Sequence, residues 1–355
     1  MFAFFYFVPF CLPAARAGGW DDFSNNPATD LAPFLSLFGE QITKQYLSES
    51  ITPLDYFIFA LAPLGILTAV VSVIRVCGGP SLRAFIGRAQ EGGGIAEAEL
   101  CSSTSQDVCE LYHNGGIARV FGRPKILAVV YDPEFVDSEK AKAGIYPLQD
   151  YLEGPGAKKW HRKFESEPGQ KDNKSNARFF APNLSLNIGI KKQPTTVFWI
   201  VCLGGLILQG GVLLLAAIVT YHLKWKKDEK LPNSYACPLV LIGTLLLGLG
   251  IFLCAFLVGQ STDEAVWYRK QTVEKARYRN QTDKSCFFWV QPGGQIVGDQ
   301  TFGAFCYSDY KAGDQENRLT SYTTSWKSRQ PKNSEYGVWA AIAITISGFV
   351  LQFTG

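Results

Sequence analysis

The chain is poor in the side chains that most often carry enzyme chemistry. Its 355 residues include only three histidines, His113, His161 and His222. They fall in different segments, and none is spaced as a zinc pair. Nine cysteines are present but no CxxC, so neither a zinc ribbon nor a thioredoxin-like site is suggested. GxSxG is absent as well, which leaves a hydrolase elbow without support. The single methionine is the initiator. The net charge is only +3 and no Lys/Arg block is dense enough for nucleic acid, so nucleic acid is not an expected partner. No 33-residue ankyrin period is visible. These absences lead to no expected cofactor, no metal and no assigned catalytic residue.

One stretch tests that conclusion. Gly87 to Glu99 reads "GRAQEGGGIAEAE", three glycines ahead of an Ala/Glu-rich run. A phosphate loop needs GxxxxGK[ST], because the lysine reaches the phosphates and the hydroxyl binds Mg²⁺. Here Gly87 and Gly92 are followed by Gly93 and Gly94, with no Lys and no Ser/Thr. A dinucleotide fingerprint would follow a strand, whereas "SLRAFIGRAQ" reads as a helix. The glycines are therefore expected to separate two helices.

What the sequence does hold is apolar residues in long runs. They make up 47% of the chain, yet the mean hydropathy is only +0.04, because polar stretches alternate with them. A helix needs about 20 apolar residues to cross the hydrocarbon core. Four runs qualify: Leu54 to Val76, Thr196 to Tyr221, Ala236 to Gly259 and Val338 to Phe353. The second and third hold no charged residue. Thr52-Pro53 reads as an N-cap and first helical position, and Pro63 predicts a kink in the first run. Tyr56, Trp199, Tyr221, Trp225, Trp267, Tyr336 and Trp339 bracket the runs as interfacial aromatics do. Gln209 is the strong polar candidate within the two central runs and is expected to hydrogen-bond another helix. Gly65/Ala69 and Ala255/Gly259 have the small-xxx-small spacing of close helix contacts.

The expected organisation is an α-helical integral membrane protein of about four transmembrane helices with two small mixed α/β or β-containing extramembrane modules. Residues 1–53 form an N-terminal segment. Spans follow at 54–76, 196–221, 236–259 and 338–355, the last about 27 Å long if helical. It is either a short helix or the front part of a longer chain. The modules occupy 77–153 and 260–337, with a flexible linker at 154–195 and a short basic loop at 222–235. Residues 2–17 partly resemble a signal peptide, ending in Ala15-Arg16-Ala17, but lack a basic start and contain Pro9 and Pro13. In Thr29 to Tyr46, Leu31, Phe34, Leu35, Phe38 and Ile42 recur with helical period. That helix suits either the membrane interface or a seat on the polar domain.

Within the modules, Ser81 to Gln90 and Thr104 to His113 read as helices. "IARVF" and "KILAVVY" read as strands around Gly122-Arg123-Pro124. "SCFFWVQPGGQIVGDQTFGAFCY" reads as a hairpin around Pro292-Gly293-Gly294. Asn173, Asn183 and Asn280 head N-x-[ST] sequons, which makes the chain a candidate glycoprotein. Cys286 and Cys306, one in each hairpin arm, are a candidate disulfide. Glu165 and Glu167 lie in the linker, where solvated charge is the default. The short loop carries four lysines in 14 residues and reads as cytosolic. The long loops carry Arg269, Lys270, Lys275, Arg277 and Arg279, but they exceed about 60 residues, where the charge rule weakens. Sequons and a disulfide place those loops on the lumenal or outer side, with the termini cytosolic.

Three stretches, "ATDLAPFLSLFGEQITKQYLSES", "APLGILTAVVSVIRVCGGPSLRAFIGRAQEGGG" and "AEAELCSSTSQDVCELYHNGGIARVFGRPKIL", together with "VQPGGQIVGDQ", resemble a family of filamentous-fungal multi-pass membrane proteins. Some members of that family carry ankyrin repeats further along. The resemblance covers most of the chain in order and makes "IGRAQEGGG" a family signature. It brings no catalytic residues with it. The expected role is non-catalytic anchoring or scaffolding at a plasma membrane or endomembrane. The expected contacts are the lipid bilayer and a protein partner or self-association through the transmembrane helices. Two other readings stay open: an accessory to small-molecule transport or secondary-metabolite biosynthesis, and an enzyme using residues 77–132.

Overall fold

The computed structural model describes residues 39–50, 52–62, 64–137, 142–163, 181–189, 194–224, 235–269, 284–309, 319, 321–327 and 335–354. In chain order the first elements are a helix over 39–49 (α1), then α2 (Pro53–Leu61), α3 (Ile66–Cys77), α4 (Pro80–Phe85) and α5 (Gly93–Leu100). Next come β1 (Val108–His113), β2 (Gly116–Phe121), β3 (Leu127–Asp137), β4 (Lys142–Pro147), α6 (Leu148–Glu153) and β5 (Trp160–Lys163). The long helices α7 (Thr195–Ala217, continued by a π turn to Leu223) and α8 (Ala236–Gly259) follow. The last elements are β6 (Thr262–Arg269), β7 (Cys286–Gln291), β8 (Gln295–Val297), β9 (Gln300–Phe302), β10 (Phe305–Ser308), β11 (Ser321–Lys327) and α9 (Glu335–Thr354).

Among the described residues, three helices are long and apolar enough to cross a membrane: Thr195–Leu223, Ala236–Gly259 and Glu335–Gln352. The first expected span is different. Thr52 and Asp55 form a capping box and Pro53 opens α2, as the sequence indicates. The helix then stops, and Gly65, at φ +64°, starts α3 from a left-handed conformation that suits glycine. α3 does not continue the direction of α2. Tyr56 lies at Gly259, Ala60 at Gly248, and the Cys77 thiol reaches Leu257 O at 3.3 Å. Gly248 and Gly259 are about 16 Å apart along α8. The chain descends half of α8 and returns to the same end, so residues 54–76 form a helical hairpin rather than a kinked span.

α1 packs on this hairpin. Thr43 donates to Leu64 O at 2.8 Å at the tip, and Tyr46 donates to Asp55 O at 2.9 Å near the open end. The Tyr46 and Phe59 rings stack at 5.2 Å. Of the periodic residues expected in this helix, Ile42 is exposed, while 31, 34, 35 and 38 lie outside the described residues.

α8 and α9 run antiparallel in close contact. Gly243 lies against the backbone of Leu351 and Gln352, Gly250 against Thr345, and Gly348 against Leu246 and Leu247. The two small-residue pairs picked out by spacing also lie at contacts: Gly65 against α1, Ala69 and Ala255 in the core, and Gly259 under the Tyr56 hydroxyl. α7 stands outside this pair. Within its α-helical part Cys202 alone is buried, and Gln209 donates to Leu61 O at 2.8 Å, the interhelical bond expected of it.

The polar segments do not make two separate modules. A four-stranded sheet has the order β10-β7-β3-β4, and a three-stranded sheet the order β11-β6-β5. β3 and β5 come from the first long segment, β6 and β7 from the second. The sheets pack through Trp160, Phe287, Trp289 and Tyr322, with Trp160 edge-on to Phe287 at 5.2 Å. The segment expected as a flexible linker contains regular elements: Pro155–Lys158 forms a 3₁₀ turn, β5 follows, and Ser185–Gly189 forms a π turn packed on the sheets. Residues 164–180, with Asn173, Glu165 and Glu167, lie outside the described residues, as does Asn280.

Three local expectations change. Thr104 to His113 was expected as a helix, but Val108–His113 is a strand. Asn114 and Gly115 both have positive φ, the signature of a type I′ turn, and join it to β2. Ser81 to Gln90 is helical only as far as Phe85. The 286–308 hairpin has the expected arms, but its tip contains a second hairpin, β8–β9.

The register also removes the Cys286–Cys306 bridge. Cys306 pairs with Val290, and Cys286 pairs with Tyr131. Four strand positions, about 13 Å, separate the two cysteines, whereas a disulfide needs Cα atoms within about 7 Å.

A Gly250→Leu variant is expected to melt at a lower temperature in detergent, by an amount equivalent to about 1–3 kcal/mol, because Thr345 occupies the space. Tryptophan emission during a thermal ramp would measure it. An unchanged midpoint would show that α8 and α9 do not rely on this contact.

Candidate functional site

The helices and sheets meet at a charged seam built on Arg75 and α5. Arg75 ends the apolar α3 and is only 3% exposed. A buried guanidinium needs full pairing. Its Nε lies 2.9 Å from Glu91 Oε2, and its Nη1 lies 2.7 Å from Glu99 Oε2. Glu99 also faces Lys44 of α1 at 3.7 Å, and Lys44 pairs with Glu40 at 2.8 Å. The Arg75 charge and its neighbours hold the Glu99 carboxyl below its ordinary range despite the cost of burial.

The triple glycine is part of this seam. Glu91 precedes it and is spent on Arg75. Gly93 O accepts from Lys327 Nζ at 2.9 Å, and Gly94 lies against the Phe121 ring. The run separates α4 from α5 as expected and allows close approach, with the Lys327 ammonium held by the Gly93 carbonyl.

Arg119 caps the far end of α5. Its guanidinium donates to Ala98 O at 3.1 Å and to Ser102 O at 3.1 Å, carbonyls left without helical partners. Its charge is met by Glu110, fully buried, at 2.8 Å. Glu110 also accepts from Ser185 Oγ at 2.6 Å and Ser185 N at 2.8 Å. Glu97 is 1% exposed, and burial raises its pKa although Lys327 and Ser103 oppose the shift.

Beside the seam is an open cleft of about 660 Å³. Ser48 and Glu49 at the end of α1 form one wall, Tyr112, Ile117 and Arg119 another, and Phe305 and Tyr307 a third. Tyr112 stacks on Phe305 at 4.0 Å. This cleft is lined in part by residues 112–119 of the segment that the enzyme reading invokes. The Ser185 hydroxyl faces it but donates to Glu110, whose oxygens are already engaged by Arg119 and the Ser185 backbone. That arrangement holds structure and does not activate a nucleophile.

The remaining candidates are dispersed. Among the described residues no three His, Cys, Asp or Glu side chains group as metal ligands. His113 lies by Phe302 at 5.0 Å, and His222 lies in the π turn after α7. Asn183 is corrected as a glycan acceptor: it is 2% exposed, its Nδ2 donates to Ser102 O at 3.2 Å and its Oδ1 accepts from Ser325 N at 2.9 Å. A side chain so enclosed has no room for a sugar. In the sequence Arg75 is simply the charged residue near the end of the first apolar run. Its partners lie 16 and 24 residues on, a separation with no periodic signature.

No family model, curated protein or solved structure matches the chain.

Arg75→Met should destabilise by about 3–5 kcal/mol, since Glu91 is left buried with only the exposed Arg88 near it. Adding Glu91→Leu should recover part of that loss, while Glu99 keeps Lys44. Equal melting of the single and double variants would contradict the pairing. Glu97 carries a pH dependence of opposite sign to a salt-bridged carboxylate. Its raised pKa favours the protonated form, so its contribution is best below the ordinary carboxylate value of 4.5 and falls as pH rises through the raised value. Glu97→Gln should therefore gain most in melting temperature relative to wild type at neutral pH; a gain seen only in acid would reverse the sign.

Proposed function

We propose that the chain is a membrane-integral anchor that presents a rigidly attached β module at one face of a bilayer, with a scaffolding role and no catalysis. The observation that carries this reading is α7. Its continuous apolar length exposes Trp199, Ile200, Leu203, Ile207, Leu214 and Leu215, a surface that suits lipid rather than water. Trp199, Tyr221, Tyr336 and Trp339 are exposed towards helix ends, where interfacial aromatics belong. Trp267 sits on β6 instead. α7, α8 and α9 cross the bilayer, and the α2–α3 hairpin enters from the module side and leaves on the same side. The count is then three crossings plus one re-entrant hairpin rather than four spans.

The basic loop after α7 favours a cytosolic placement for residues 224–235, which puts the β module on the lumenal or outer side. The sequons at Asn173 and Asn280 agree with that side; the lost disulfide no longer supports it. A transport-accessory reading draws on one feature, the broken helix at Ala62–Gly65. Within a bilayer such irregular backbone is tolerated where protein covers it or where it lines a cavity. Here Thr43 and Gln209 already bond to its flanks, which favours the anchoring role.

Alkaline carbonate should leave the chain in the membrane pellet, and release into the supernatant would sink the architecture. Glycosidase should shift the wild-type band but not an Asn173→Gln, Asn280→Gln double variant. No shift, combined with maleimide labelling of exposed Cys306 only after the cytosolic face is opened, would reverse the orientation. Unchanged export of a labelled metabolite from a deletion strain is expected; a defect would favour transport.

A further inference from the structure

The four-stranded sheet has one face in the core and an outer face on which exposed apolar side chains stand beside the buried Cys286. Residues paired directly across antiparallel strands share a face. Val130, Phe287 and Trp289 stand on the inner face, fully or almost fully buried. On the outer face Leu127 pairs with Val290, Val129 with Phe288, and Tyr131 with Ile145 of β4. No charged side chain stands in these rows. Leu127 is 60% exposed, Ile145 59%, Tyr131 38% and Val290 37%. An exposed apolar patch of this extent, on a sheet whose other face is already covered, marks an interaction surface.

The direction of that face indicates its occupant. β6 begins three residues after α8, where Thr262 pairs with Lys327, and it ends at Arg269. Arg269 lies over the Phe287 ring at 5.6 Å, so that end of β7 is the one away from the helices. At the other end of β7, Gln291 bonds the Tyr112 backbone at 2.8 and 3.0 Å, and Tyr112 shares the cleft with Ser48 and Glu49 of α1. The strands of both sheets thus run away from the helices. In a bilayer the outer face looks sideways, parallel to the membrane plane.

We propose that a second copy of this chain covers this face. Two copies in one membrane present it at the same height, related by a two-fold axis along the bilayer normal. Confinement to two dimensions raises their effective concentration. The open apolar rows amount to roughly 500 Å² per copy, on the order of 1,000 Å² in all, the lower bound for a specific interface. The chain's own segments 138–141, 270–283 and 310–318, which adjoin these strands in sequence, are rich in Lys, Arg, Asp and Glu and make poor cover for such a surface. The proposal rests on the bilayer placement above. Carbonate release would fail the placement; a pelleted but monomeric chain would fail only this inference.

The test counts photobleaching steps of the full-length, singly labelled chain in lipid bilayers. Wild type should bleach in two steps. Leu127→Glu, Ile145→Glu should reduce the dimer fraction at least tenfold with an unchanged melting temperature, since both positions are exposed. Leu127→Ser, Ile145→Ser, which adds no charge, should weaken it too and guards against misfolding. Ile296→Glu, at a 74% exposed position on the β8–β9 hairpin, should remain dimeric. A monomeric wild type, or a dimer indifferent to both double variants, overturns the proposal. So does quenching of a Leu127→Trp variant by brominated acyl chains, which would assign the face to lipid. A monomer whose Leu127→Cys thiol is shielded from maleimide would assign it to this chain's own residues and also overturns it.

Discussion

Arg75 is the charge on which the attachment of helices to sheets depends. It ends an apolar helix, where an unpaired guanidinium out of water would be strongly unfavourable. Glu91 and Glu99 meet it, and both belong to the segment that forms α5. α5 is therefore held by the bundle from both sides, through Glu91 just before it and Glu99 in its last turn. Its C-terminal end also leaves carbonyls without helical partners, and Arg119 of β2 takes them. Arg119 in turn needs Glu110, and Glu110 holds Ser185. One buried charge thus sets the positions of α5, the β1–β2 hairpin and the π turn before α7, and through α7 it reaches back to the bundle.

Amide side chains act as backbone throughout the module. Gln291 bonds both the N–H and the C=O of Tyr112, as a strand partner would. Asn187 does the same for Thr323, and Asn183 joins Ser102 to Ser325. Each of these lies where two strands or turns cannot pair directly. Buried backbone groups must find partners, and a primary amide supplies a donor and an acceptor at once. The module can then be built from short strands without leaving orphaned groups between its sheets.

This explains which parts of the fold were legible in sequence. The long apolar runs, the Thr52-Pro53 start and the arms of the 286–308 hairpin depend on neighbouring residues, and local pattern revealed them. Gln209 was legible because a polar group in an apolar run has few options. The Arg75 network was not, because its members meet only once the chain has folded. Asn183 looked like a sequon for the same reason: the motif is local, whereas its burial between Ser102 and Ser325 is tertiary. β1 reads as a helix in sequence because Val108, Cys109, Leu111 and Tyr112 fit either period over so short a run, and Asn114-Gly115 can end a helix as readily as it turns a hairpin.

The hairpin exposes a limit of hydropathy that has a topological consequence. Twenty-three residues from Leu54 to Val76 suffice for one crossing or for two half-depth helices, and composition is the same for both. What decides is a backbone break at Ala62–Gly65 whose carbonyls find Gln209 and Thr43. Those donors come from α7 and α1, so the turn is stable only beside them. Under the proposed placement of three crossings, a hairpin that returns to its starting side puts Ser50 on the same face as the β module. The same placement puts Thr354 on the opposite face, together with the basic loop after α7. A single span over 54–76 would instead have put Ser50 with the basic loop. Under that placement, two interhelical hydrogen bonds at the hairpin tip decide on which side of the bilayer α1 ends.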